Sequence, residues 1–178
     1  SPSAPPTVSK VSIVSAWGIE MHPRYPTSRL HDRATNERTW KHPSFPARSL
    51  KGELCVGLAY EAYVVSVTVW QRASAEVYAE VYVADAAPDS SGVNAAKCND
   101  LSTDSISTEG GADEYLTTCS TAVRGLWVCI KRPTEVILDL LEVEVNGWQA
   151  PMPPAPPMTP PQDKVVIIDG TGVDVRPS

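Results

Sequence analysis

The sequence predicts an all-β protein, a β-sandwich with a proline-rich arm and a short C-terminal strand. Three observations predict it. Apolar and polar residues alternate in several short runs rich in Val, Tyr and Trp. No segment sustains an i, i+3, i+4, i+7 apolar stripe of useful length. Gly, Pro, Asn and Asp cluster between the runs, notably at Ala86–Gly92 and Ser107–Asp113.

The elements follow in chain order. Val8–Ala16 (VSKVSIVSA) alternates apolar and small polar residues and reads as a first strand. Cys55–Leu58 is a short apolar piece, followed by Ala62–Trp70 (AYVVSVTVW), rich in β-branched and aromatic residues. Glu76–Ala84 (EVYAEVYVA) alternates again, and Leu126–Lys131 (LWVCIK) is apolar. Val136–Asn146 (VILDLLEVEVN) ends in strict alternation. Trp70, Tyr78 and Tyr82 fall in these runs among apolar neighbours, which points to core and cross-strand packing.

Proline divides the 178-residue chain: seven of its 17 prolines lie in Pro151–Pro161 and three more in the opening SPSAPP. Proline lacks an N–H donor and fixes φ, so this stretch cannot continue a sheet and favours an extended polyproline II arm. Lys164–Val175 (KVVIIDGTGVDV) then reads as one more strand, too short to fold alone. The expected division is a tail at 1–7, a sandwich at 8–149, a polyproline linker at 150–162 and a terminal strand at 163–178. That strand returns to its own sandwich, opens a next domain, or is donated to another chain.

Composition excludes several functions. Hydrophobic residues at 42% permit a core, and 15 Lys+Arg against 21 Asp+Glu give a net charge of -6. No basic stripe supports nucleic-acid binding, and no apolar run approaches the roughly 20 residues of a membrane span. GxSxG, HExxH, P-loop and GxGxxG motifs are all missing, so an enzyme is not expected.

The four cysteines, Cys55, Cys98, Cys119 and Cys129, show no CxxC spacing, and His22, His31 and His42 all precede them. Two disulfides are the better reading than a metal site or free buried thiols. Disulfides with proline-rich ends place the protein outside the cell, and a start at Ser1 fits a processed or fragmentary chain. No Asn-x-Ser/Thr sequon is present.

From Leu54 to Trp148 the runs CVGLAYEAYVVSVTVWQR, AEVYVADA, RGLWVCIK and LDLLEVEVNGW, with two cysteines around a polar loop between the second and third, resemble the F-type lectins (fucolectins) of the discoidin-like F5/8-type jelly-roll group. Leu30–Trp40 (LHDRATNERTW) resembles the DG…W loop of those domains. The resemblance covers roughly residues 8–148. It implies extracellular carbohydrate recognition without catalysis, the partners being glycans or proline-rich glycoproteins.

The resemblance also implies a Ca²⁺ cofactor held by hard oxygen ligands, with Asp32 and Glu142 on the carboxylate positions and backbone groups near Arg29 and Ala34 assisting. The chain departs from the pattern at Arg33, where the family has Gly, and at Leu141, where it has Cys. For the sugar, the resemblance places Arg72 on the first basic position, whereas Ser74 and Ala79 replace its acidic and second basic residues. His42 lies several residues out of register with the expected His. A changed specificity would use Arg72, His42, Trp40 and Tyr78.

The resemblance pairs Cys98 with Cys119 around the polar loop, which leaves Cys55 with Cys129. Were those two free thiols, the fold would survive but be weaker. A second functional expectation belongs to another class: a structural subunit of an extracellular filament or cell wall. It would form a homo-polymer by donating Val165–Val175 across the proline arm.

Overall fold

The computed structural model describes residues 5–31, 46–72, 78–88, 94–101, 105–109, 112–134 and 136–151. Their strands are β1 (Ser9–Val11), β2 (Ile13–Gly18), β3 (Ala47–Ser49), β4 (Glu53–Arg72), β5 (Glu80–Ala84), β6 (Ala95–Asp100), β7 (Ser107–Glu109), β8 (Ala112–Lys131), β9 (Leu138–Leu140) and β10 (Glu142–Gln149). Among the described residues the sole helical element is a 3₁₀ turn at Thr27–His31. No helix among them is long and apolar enough to cross a membrane.

Two long strands organise the molecule. β4 and β8 pair antiparallel along their length, but the register shifts between Gly57 and Ala62, where a single β8 residue, Leu126, separates the partners Trp127 and Gly125. Surplus residues on one strand of a pair form a bulge, bend the sheet and increase its twist. The bulge turns one continuous sheet into two layers. In the first, β2 and the second half of β8 flank the start of β4, and β5 and β6 follow. In the second, β10 and the first half of β8 flank the rest of β4, and β1 and β7 complete the edges.

The layers enclose one core. Leu54, Val56, Val81, Val83, Val128 and Ile130 enter it from the first layer, and Val11, Val64, Val67, Val69, Val143 and Val145 from the second. The separate two-stranded β3–β9 sheet closes one side with Ala47, Leu138 and Leu140, all buried. On its outer face Arg48 grips Asp139 with two 2.7 Å hydrogen bonds, and its guanidinium lies 4.6 Å from the centre of the Tyr25 ring.

Both disulfides form as paired from the resemblance, Cys55–Cys129 and Cys98–Cys119. The first joins directly opposed residues of β4 and β8; the second ties the edge strand β6 to β8. The element boundaries differ from expectation in an instructive way. Val8–Ala16 is two strands, because the chain crosses between layers at Ser12. The two apolar pieces after Cys55 are one strand, because the bulge absorbs the polar residues between them. Val136–Asn146 divides at Leu141, whose N–H donates to the Trp70 carbonyl.

β10 carries its own register shift at Asn146/Gly147, and a Cβ on Gly147 would press into the Tyr63 carbonyl. Backbone cannot yield as a side-chain tip does. Gly147→Ala is expected to cost about 2 kcal/mol, in the range of overpacked sites. A urea midpoint shift at constant m checks this, and an unchanged midpoint contradicts it.

Candidate functional site

Strand alternation points every second residue of the first layer away from the core, and the register places these residues in three rows. Glu53, Lys131, Glu80 and Asp100 form a row of alternating charge. Trp17, Cys55, Cys129, Tyr82 and Lys97 form the second, and Ser15, Gly57, Trp127, Ala84 and Ala95 the third. The outer face therefore carries aromatics, small residues and a disulfide where a solvated sheet face would be polar.

This face is concave. A groove of about 440 Å³ is lined by Glu53, Lys131 and Glu80 at one end, Cys129 and Tyr82 in the middle, and Ala84 and Ala95 at the other, with Pro88 and Pro133 as walls. The Tyr82 hydroxyl donates to Glu80 at 2.8 Å, and the Lys97 ammonium donates to the other Glu80 oxygen at 2.6 Å. Lys97 and then Tyr82 hold the Glu80 carboxyl below its ordinary range. Asp100 and then Glu80 hold Lys97 above its own, so both groups stay ionised around neutral pH. Lys131 lies 3.7 Å from Glu53, a looser pair that leaves its donors free to meet a ligand.

The arrangement has the parts that small-ligand sites use: apolar and aromatic surface with a few convergent donors and acceptors. Glu53, Cys55 and Cys129 also bring three ligand atoms within 4.8 Å of one another. The two sulfurs are joined in a disulfide, however, and cannot act as thiolate ligands.

Of the residues assigned to sugar binding, Tyr78 is described in full. It is not a core residue within a strand; it precedes β5 and is 61% exposed. Arg132 Nε donates to its carbonyl at 3.3 Å and a terminal guanidinium nitrogen to the Ile137 carbonyl at 2.9 Å. Because Arg132 follows Lys131 and Tyr78 precedes Glu80 by two, this loop end runs directly into the charged end of the groove. Arg72 is the last residue of β4, its side chain outside the described residues, as are Trp40 and His42. Ala79, on the family's second basic position, is buried and faces the core.

The metal assignment divides similarly. Glu142 is 7% exposed and lines a polar concavity of about 270 Å³ with Lys10, Ser12 and His31. Asp32, the next residue after His31, lies outside the described residues. Among the described residues the concavity supplies one carboxylate, and Lys10, paired to Glu144, brings a cation to it. Glu142 fits a hard oxygen site, but a full Ca²⁺ shell requires further donors there.

Sequence reasoning missed the groove's charged row. EVYAEVYVA shows that Glu80 and Tyr82 share a face, but Glu53 and Lys131 join them only through pairing across three strands.

No protein-family model matches the sequence, and no curated protein matches it. Solved structures do match. A fucolectin (F-lectin) from striped bass serum, Morone saxatilis, superposes with a TM-score of 0.56 at 17% identity, over 83% of this chain and 48% of that one. Truncated AlyQ, with CBM32 and alginate lyase domains, gives 0.55 at 10% identity over 83% and 35%. A CBM32 module from a family 31 glycoside hydrolase of Clostridium perfringens gives 0.50 at 12% identity over 74% and 92%. The chain thus spans about half of the fucolectin chain and about a third of AlyQ. The shared feature is the fold: the chain is a jelly-roll β-sandwich of the kind found in F-type lectins and CBM32 discoidin-like domains.

Proposed function

We propose that the chain is a non-enzymatic, extracellular glycan-binding module. The observation that carries this reading is the outer-face groove, which Tyr82, Glu53, Glu80 and Lys131 line together, with the exposed Tyr78 two residues before Glu80 in the chain. A pyranose presents an apolar C–H face and a rim of hydroxyls. The Tyr82 ring suits the first, while Glu53 as acceptor and Lys131 as donor suit the second. Support comes from the similar structures, a fucolectin and CBM32 modules. Two disulfides fit an oxidising compartment.

A glycan array with and without EDTA tests the reading, and absence of binding to every sugar rejects it. Tyr82→Ala and Tyr78→Ala are each expected to weaken the best ligand by about tenfold, the scale of one lost aromatic contact. Calcium belongs to the same proposal through Glu142. Added Ca²⁺ should raise the melting temperature, EDTA should reverse this, and Glu142→Gln should abolish the response. A melting temperature indifferent to both removes the metal.

The second reading, a filament or cell-wall subunit, has one observation in its favour. Among the described residues β2 pairs with β4 alone, and its open edge carries Val14, 63% exposed. Such an edge accepts an added strand. Light scattering of the full chain should then show mass growing with concentration, and a constant monomer mass rejects strand donation.

A further inference from the structure

We infer that Gln71, Asp113 and Tyr115 bind a hard monovalent cation at one end of the sandwich interior. Gln71, near the end of β4, is 4% exposed. Strand alternation puts its side chain on the face of Val67 and Val69, two core residues. Its side-chain carbonyl oxygen, Oε1, is buried and accepts no hydrogen bond among the described residues. A buried carbonyl without a partner costs stability, so native folds supply one.

The register sets acidic and phenolic oxygens beside it. Gln71 opposes Asp113 on β8, and Val69 opposes Tyr115. Side chains opposed in an antiparallel pair share a face, with Cβ atoms about 5 Å apart. Tyr115 is buried in the core, and its hydroxyl donates to Asp113 Oδ2 at 3.3 Å. Burial first, and then Asp113, raises the Tyr115 pKa above its ordinary value, so the phenol keeps its proton. Backbone pairing holds both flanks: Thr108 of β7 pairs with Asp113, and the Leu141 N–H donates to the Trp70 carbonyl.

The Gln71 carbonyl, the Asp113 carboxylate and the Tyr115 oxygen thus present lone pairs on one face. Hard cations take such oxygen ligands. One carboxylate balances one positive charge, which favours Na⁺ or K⁺ over a divalent ion in a largely buried place. Asp113 is half-buried, so the ion reaches the cluster from that side and water completes its shell there. The cluster lies on the inner face of the second layer, whereas the groove lies on the outer face of the first. Trp70 and its partner Glu142 point to the opposite face from Gln71. The cation site is therefore separate from both the sugar groove and the calcium position.

Melting of the full chain, with EDTA present throughout, is compared in NaCl, KCl and tetramethylammonium chloride at equal ionic strength. Tetramethylammonium screens charge alike but has no bare metal centre for oxygen lone pairs to coordinate. An alkali-metal salt in tenfold excess over its Kd is expected to raise the melting temperature by about 4 °C. Gln71→Met keeps the side-chain length and removes the carbonyl. It should melt above the wild type in tetramethylammonium chloride, because no buried acceptor is left unpaired, and should lose the alkali response. Asp113→Asn should lose that response too. Sodium NMR relaxation gives a readout independent of stability: the wild-type chain should broaden the Na⁺ line more than either variant does. Equal wild-type melting temperatures in all three salts overturn the inference, since water then meets the Gln71 carbonyl. So does an alkali response that survives Gln71→Met.

Discussion

Replacing Cys55 and Cys129 together with alanine is expected to lower the unfolding free energy by about 4 kcal/mol, more than the same change at Cys98 and Cys119, at about 3 kcal/mol. The bridges close sequence separations of 74 and 21 residues. In the chain-entropy account, the longer closure removes more freedom from the unfolded chain and so contributes more. Cys55–Cys129 also joins β4 to β8 beside the bulge, where both strands pass from one layer to the other. Urea unfolding of the two double mutants at matched m gives the comparison. A reversed order would show that the bridge at β6 acts mainly on the folded sandwich, by fixing its edge.

Leu54→Ala should cost about 3 kcal/mol, and about 10 °C in melting temperature for a domain of this size. Leu54 is 0% exposed, and its side chain fills the space against Gly18. Its strand is held on both sides, by β2 and by β8, so the surroundings cannot collapse into the vacated volume. Leu116→Ala provides the contrast. That residue is 38% exposed on the outer face of the second layer, and its truncation should cost well under 1 kcal/mol. Equal costs at the two positions would contradict the assignment of the core.

The fold class was legible because alternation is local. Each of the runs around Val64–Trp70, Val81–Ala84 and Val143–Val145 records which of its residues face apolar surroundings, and pairing merely assembles them. The disulfide partners were legible through the resemblance. The candidate site was much less so. Tyr78 read both as a packed strand residue, because alternation continues through EVYAEVYVA, and as a binding candidate; the strand begins only at Glu80 and Tyr78 stands exposed before it. The strand break at Ser12 and the fusion of two apolar runs into β4 were hidden for a related reason. A bulge and a layer crossing are set by partners elsewhere in the chain, not by the residues that bend.

By itself the sequence determined a β-sandwich with paired cysteines and a proline-rich stretch after it, since strand periodicity, cysteine count and proline clustering are properties of neighbouring residues. Only the tertiary structure decided that Glu53, Lys131, Glu80 and Tyr82 share one concave face. These residues come from three strands as far as 78 positions apart, and a register between strands, fixed by hydrogen bonds and the Gly57–Ala62 bulge, brings them together.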